Sequence, residues 1–276
     1  MKELTFFAKP QHYYKRGTVT SRNPHLFRTS SLIRGEQIAH HMGCKYNPTE
    51  GYEDDVCIYV KPNVFDDIKD GSWVDVLDNF RLLKLLEKRP GIGIIFCSQY
   101  HYDLLKGNYK NKSVFIPHHH CNFERYVRTL REVKTVGYLG SIRGIALSVP
   151  EFTDRLKDIG LDFITNYNFK TREDVINFYR KIDIQIVWKK DNMSGVTPLK
   201  ITNAASVGIP SVSKHMENFQ ELDGLYIPVA SDIDSLVSEL EKLKEQDYYN
   251  SWSRKLIPAM EKYHISNIAE LYEKLL

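Results

Sequence analysis

The 276 residues carry 38 Lys and Arg against 35 Asp and Glu, a formal charge of +3 that is too small to imply a nucleic-acid partner. Hydrophobic residues make up 42% of the chain, enough for one large or two modest α/β cores, and no apolar run is as long as a membrane span. The apolar stretch at the start is too short for a signal peptide, so a soluble cytosolic protein is expected. Cys44, Cys57, Cys97 and Cys121 have no paired spacing and are expected to be reduced thiols, not a disulfide or zinc framework.

Short apolar runs alternate with amphipathic ones along the chain, the pattern that builds parallel sheets with helical crossovers. A strand is expected over 4–8, followed by a basic loop over 9–28 that includes Tyr13 and Tyr14. Lys9, Lys15, Arg16, Arg22, Arg28 and Arg34 form a local basic cluster. Helices are expected over 31–42, stopped by Gly43, and over 73–88, stopped by Pro90. Strands are expected over 56–60 and 92–97, a helix after Ser98, and a strand over 113–116 that ends at Pro117. The cycle restarts with strands over 135–139, 162–165, 184–187, 210–213 and 224–228, with a helix over 172–180 among them. After Asp232 the pattern is helical throughout.

The most informative stretch begins near Gly195. Gly195, Val196, Thr197 and Pro198 make a non-helical approach to a short helix on which Lys200 and Asn203, three residues apart, share a face. Ala204, Ala205 and Ser206 let that helix sit close to a sheet, and Gly208 ends it before the strand. A helix start presents unpaired N–H groups and a positive dipole end, and Lys200 adds a full charge, so a diphosphate suits the turn. An ordinary helix-to-strand turn that binds nothing is the competing reading.

The spacing Pro-Leu-Lys-x-x-Asn-Ala-x-x-x-Gly-x-Pro-x-Val, from Pro198 to Val212, resembles the donor-binding segment of GT-B fold glycosyltransferases, particularly the retaining group that includes family 4. The resemblance implies an α/β chain of two Rossmann-like domains with parallel sheets: 1–120 on the acceptor side, 121–260 for the nucleotide sugar, and 261–276 returning to the first domain. It also implies a nucleotide-diphosphate-sugar donor, a carbohydrate or other hydroxyl acceptor, retention at the transferred carbon, and no separate cofactor or essential metal. In that group an acidic residue after the lysine holds the ribose; here Asn203 stands there, and Gly195 stands where an earlier glutamate would fall.

Two further landmarks come in the expected order. Residues 136–144 resemble the group's glycine-rich phosphate loop, with Gly140 and Ser141 at the turn and Arg143 as a basic grip. Lys200 and Arg143 are the candidates for stabilising charge on the leaving diphosphate, and Lys189, after Trp188 and beside Lys190, is a candidate to face the donor. At the end of the first half, Pro117 precedes His118, His119, His120 and Cys121 where the group has its hinge turn. One imidazole, His118, could contact donor phosphate or acceptor; packing of the trio is the alternative. Neighbouring side chains on an extended chain point apart, so at most two of these groups could meet one ion and no metal site is expected.

An inverting enzyme would need a base from the first half, where Asp75, Asp78 and His101 qualify, although each is expected as a solvated or capping side chain. The basic loop with its tyrosines is a candidate acceptor site, and cations there would suit an anionic carrier, with peripheral membrane association through that acceptor. A sugar-nucleotide epimerase of the same fold and a non-catalytic sugar-nucleotide-binding module remain alternatives.

Overall fold

The computed structural model describes residues 2–8, 14–15, 18–19, 32–62, 67–129, 131–189 and 197–276. The chain forms two compact units, one of Met1–His119, Gly195–Thr197 and Ile265–Leu276, the other of His120–Ser194 and Pro198–His264.

The first unit is built on a parallel sheet of strands β1 (Leu4–Ala8), β4 (Lys45–Tyr46), β5 (Val56–Val60), β6 (Trp73–Asp75), β7 (Gly93–Phe96) and β8 (Ser113–Phe115), in the spatial order β4-β1-β5-β6-β7-β8. A two-stranded antiparallel ribbon pairs β2 (Tyr14–Lys15) with β3 (Thr18–Val19). The central strands read as apolar runs because both faces are covered: Phe6, Ile58, Val60, Val74 and Ile94 are all fully buried. Val74, Val76, Leu82, Leu83, Leu86, Ile94 and Phe96 pack together on one face, where helix α2 (Arg81–Leu86) lies.

Two elements differ from expectation here. The segment expected as one helix from Trp73 opens as strand β6, which pairs in parallel register with β5 and β7, and only then turns into α2. Its apolar positions fit either period, and the two neighbouring strands decide the matter by offering ladder partners to a β-branched run. The helix ending at Gly43 begins as a π turn (Ile33–Gln37) before α1 (Ile38–Met42), and Gly43 caps it at φ 68° in the left-handed region, as the sequence suggests. Edge strand β4 follows, an element too short to leave a sequence pattern. Helix α3 (Gln99–Leu105) follows Ser98 as expected, and helix α9 (Ile265–Glu273) closes this unit.

The second unit carries a parallel sheet of β9 (Thr135–Leu139), β10 (Asp162–Asn166), β11 (Ile184–Val187), β12 (Ser211–Lys214) and β13 (Ile227–Val229), ordered β10-β9-β11-β12-β13. The crossovers are α4 (Val149–Asp158), α5 (Arg172–Tyr179), α6 (Leu199–Ser206) and α7 (Ile233–Lys242), and α8 (Gln246–Met260) follows. Thr171 and Asp174 form a reciprocal capping box that fixes the start of α5. Gly208 ends α6 at φ +83°, and any side chain there would also crowd Ser253 and Ile257 of α8. Val136, Tyr138, Phe152, Ile184, Ile186, Val212 and Leu240 form the core.

The order β10-β9-β11 means that the chain leaves β9 to one side and returns to β11 on the other. The loops after β9 and β11 therefore diverge and leave a crevice at the carboxyl ends of these strands, the ligand-binding position of open α/β sheets. Gly140 and Ser141 follow β9, and Trp188 and Lys189 follow β11.

Candidate functional site

The crevice of the second unit gathers several of the sequence candidates. Lys200, in the first turn of α6, directs its ammonium at Tyr138: Nζ lies 4.5 Å from the ring centroid and donates to Oη at 3.4 Å. Tyr138 Oη in turn donates to the Ser141 carbonyl at 3.1 Å, so the phenol ties the lysine to the loop after β9. Gly140 completes the fit, because a Cβ there would overlap the Lys200 ammonium. Glycine at this position lets the cation reach the strand end.

Burial and the neighbouring charge of Lys189 lower the Lys200 pKa to about 7, and burial lowers that of Lys189. No carboxylate among the described residues offsets either shift. The Lys189 charge thus disfavours the Lys200 ammonium, with no carboxylate among the described residues to balance it, an arrangement that an anion such as a diphosphate would relieve. Tyr138 itself is fully buried, which pushes its phenol up to about 12 and keeps it protonated as a donor. Tyr167, just past β10, sets its ring 6.2 Å from that of Tyr138 with the planes inclined by 55°, and its hydroxyl is buried without a partner among the described residues. Neither tyrosine carries a sequence signal of its own beyond the Gly-Tyr-Leu-Gly run at the end of β9, which marks its glycines. Trp188 is buried beneath the Lys214 ammonium, 5.2 Å from its ring.

Asn203 has a different setting from the one expected. Its side chain is 2% exposed and its Oδ1 accepts the Cys121 N–H at 2.8 Å, while its amide also bonds the Tyr179 hydroxyl. A ribose contact would require the amide to leave these partners. The same helix anchors the segment that opens the second unit through further bonds: Asn122 Nδ2 donates to the Ser206 carbonyl at 2.8 Å, and Arg128 N–H to the Val207 carbonyl at 3.0 Å. Replacement of Asn203 by Ala should therefore destabilise the protein by about 1–3 kcal/mol, the cost of leaving a buried N–H unpaired. Urea denaturation measures it; an unchanged midpoint would show that the Cys121 bond contributes nothing.

The other candidates are distributed as follows. Gly195, Val196, Lys190 and most of the basic loop over 9–28 lie outside the described residues, as does the Arg143 side chain, whose backbone forms a 3₁₀ turn after Ser141. Thr197 is half-buried and groups with the first unit.

His118 also belongs to the first unit and is 4% exposed. Burial, the Arg34 charge and His119 hold its pKa well below the usual histidine value, so the ring is neutral. His119 bonds the Ile33 carbonyl through Nε2 at 2.9 Å, and His120 accepts the Asn122 N–H on Nδ1 at 3.2 Å. Among the described residues no group of three or more His, Cys, Asp or Glu is placed to hold a metal ion.

The side chains considered as bases behave in three ways. Asp75, expected in solvent, is fully buried and ion-paired with Arg34, which is itself 1% exposed and does not belong to the basic surface cluster. The pairing is possible because β6 is a strand: its end carries the carboxylate under the π turn that supplies Arg34. Asp78 is exposed and pairs with Lys61. His101 is buried against Phe80, ring centroids 4.5 Å apart, and burial lowers its pKa.

No family model matches the chain, and no curated protein sequence matches it. Solved structures do. The glycosyltransferase AviGT4 of avilamycin A biosynthesis superposes with TM-score 0.57 at 11% identity over 100% of this chain and 97% of its own. The T4 phage β-glucosyltransferase gives TM-score 0.56 at 13% identity over 100% and 99%. The fold is GT-B. The pneumococcal O-GlcNAc transferase GtfA, solved with UDP and GlcNAc, gives TM-score 0.54 at 12% identity over 80% of this chain. This chain spans about half, 52%, of that protein's length. At these identities the likeness establishes the fold, and the two parallel sheets of 6 and 5 strands are its substance here.

Proposed function

We propose that this GT-B protein is a glycosyltransferase that takes a sugar from a nucleotide-diphosphate-sugar donor and passes it to a hydroxyl acceptor, with retention as in the family 4 pattern. The observation that carries the reading is the pair Lys200 and Lys189 at the crevice beside β9, two cations with no described carboxylate to balance them. The diphosphate lies between these lysines, Gly140 gives its oxygens access to the strand end, and Lys200 stabilises the charge that develops on the leaving nucleotide. The lysines supply the positive charge that a divalent ion would otherwise provide, so no resident cofactor enters the scheme. Three transferases among the structural neighbours support transfer over epimerisation.

The lysine pair dictates a pH dependence. Lys200 titrates at about 7 in the free protein, and an anion beside it favours its charged form and raises that value. Donor affinity is therefore greatest below pH 7 and declines as pH rises through 7 toward the bound-state pKa. Calorimetry with an intact nucleotide sugar, whose esterified diphosphate does not titrate near neutrality, should show proton uptake on binding. Binding without proton uptake at pH 8 would remove Lys200 from the diphosphate site.

A further inference from the structure

The second unit is entered at His120 and left at His264. The His120 N–H donates to the Tyr263 carbonyl at 3.0 Å, so the entering and leaving segments run side by side. There the two imidazole rings meet edge to face, centroids 5.6 Å apart, and both are almost completely buried. Donor binding uses neither ring.

Their hydrogen bonds fix their protonation. His264 Nδ1 lies 3.2 Å from Arg125 Nη2, and a guanidinium can only donate. His264 Nε2 lies 3.0 Å from the Phe123 carbonyl, which can only accept. The ring is therefore neutral, with its proton on Nε2. His120 accepts the Asn122 N–H on Nδ1 at 3.2 Å, so its proton also belongs on Nε2. A second proton on either ring would set one donor against another.

The charges around the rings sharpen this conflict. Arg125 grips Glu261, which opens the 3₁₀ turn before His264, with Nη2 2.6 Å from Oε1 and Nε 3.2 Å from both carboxylate oxygens. That bond, the Arg125 charge and the nearby His264 and His120 hold the Glu261 carboxyl below the usual range. The chain neighbours of His264 are engaged elsewhere: Tyr263 Oη donates to the Glu221 carbonyl at 3.3 Å, and the Lys262 ammonium lies over the Tyr263 ring. A protonated His264 would repel Arg125 and attract the carboxylate that Arg125 holds. Arg125 keeps its grip from a left-handed backbone, φ 52°, a strained conformation for a residue with a Cβ. Loss of the grip would let that strain relax.

We propose that His264 and His120 form a proton-operated clasp that holds residues 120–126 against the 261–264 turn at neutral pH and releases them in mild acid. The released segment is the one that bonds α6 through Asn203 and Ser206. Any bearing on donor affinity rests on the transfer reading above; the release itself does not.

Hydrogen exchange of the whole protein without nucleotide tests it, each amide being compared with its intrinsic rate at the same pH. From about pH 7.5 to about pH 5, the range in which an ordinary imidazole gains its proton, protection over 120–126 should fall about tenfold. Strand β9 is the reference and should keep its protection. In the double variant His264→Gln with His120→Gln neither side chain titrates, and the response of 120–126 to pH should vanish.

Protection indifferent to pH in the wild type, or a fall that the double variant retains, would overturn the proposal. A loss that includes β9 would also overturn it, because that is acid unfolding and not release of one segment. If the double variant does not fold, the histidine side-chain ¹⁵N resonances of the wild type decide. His264 should carry its proton on Nε2 at about pH 7.5, and the midpoint of its protonation should coincide with that of the lost protection. A proton on Nδ1, or separate midpoints, would contradict the clasp.

Discussion

Replacement of Lys200 by Met should weaken donor binding by about 10- to 100-fold, corresponding to the ~1.5–3 kcal/mol of a hydrogen bond to a charged group, while raising the melting temperature. The two effects have one cause. In the free protein the ammonium is drawn from solvent, rests on the Tyr138 ring and faces Lys189, and these costs show in a pKa of about 7. An unfolded lysine titrates near 10.4. Below 7 the folded state bears the full cost of the charge, and stability recovers as pH rises from 7 toward the unfolded value. Methionine keeps the aliphatic reach across Gly140 and discards the charge, so folding gains what diphosphate binding loses. Thermal melts and donor titrations on one preparation measure both. A variant that loses stability and keeps its affinity would show a lysine acting only in packing.

Loss of one partner of the Arg34–Asp75 pair should have the largest effect on folding. Both side chains are almost completely buried, and Tyr272 Oη adds a bond to the same carboxylate oxygen at 3.4 Å. Arg34→Met strands a buried carboxylate, which costs about 3–5 kcal/mol. Removing both charges is a different matter: in Arg34→Met with Asp75→Leu no unpaired ion remains, and most of the lost stability should return. Denaturant unfolding of wild type, both single variants and the double variant gives the coupling directly. Additive losses in the double variant would mean that the two residues do not act as a pair.

These two sites also show what could be read from the sequence and what could not. The strands at Val56–Val60, Gly93–Phe96, Thr135–Leu139 and Ile184–Val187 were legible because strands covered on both faces leave short, mostly apolar runs. The stops at Gly43 and Gly208 were legible because left-handed backbone calls for glycine. The helix over Leu199–Ser206 was legible in position, with its proline before it and Gly208 after it. Asn203 reads from the sequence as a ribose contact; its structural partner, the Cys121 N–H, is 82 residues away and no local pattern announces it. Arg34 reads as one more cation of the N-terminal basic cluster; Asp75, 41 residues on, removes it from solvent. The segment after Ser72 offered apolar residues at both helical and strand spacing, and only its neighbours in the sheet could choose between them. Local periodicity thus gave the frame, while the polar partners depend on which strand ends the topology brings together.

The central claim is that the second unit holds a nucleoside diphosphate against Lys200. Thermal unfolding of the wild type and of Lys200→Met, each alone and with the uridine, guanosine, adenosine and thymidine diphosphates, tests it most directly, since a ligand bound only to the folded state raises the melting temperature. At least one diphosphate should raise the wild-type value, its matching nucleoside should not, and the Lys200→Met value should respond far less. A wild-type melting temperature indifferent to all four diphosphates, or a rise that Lys200→Met retains in full, would contradict the account.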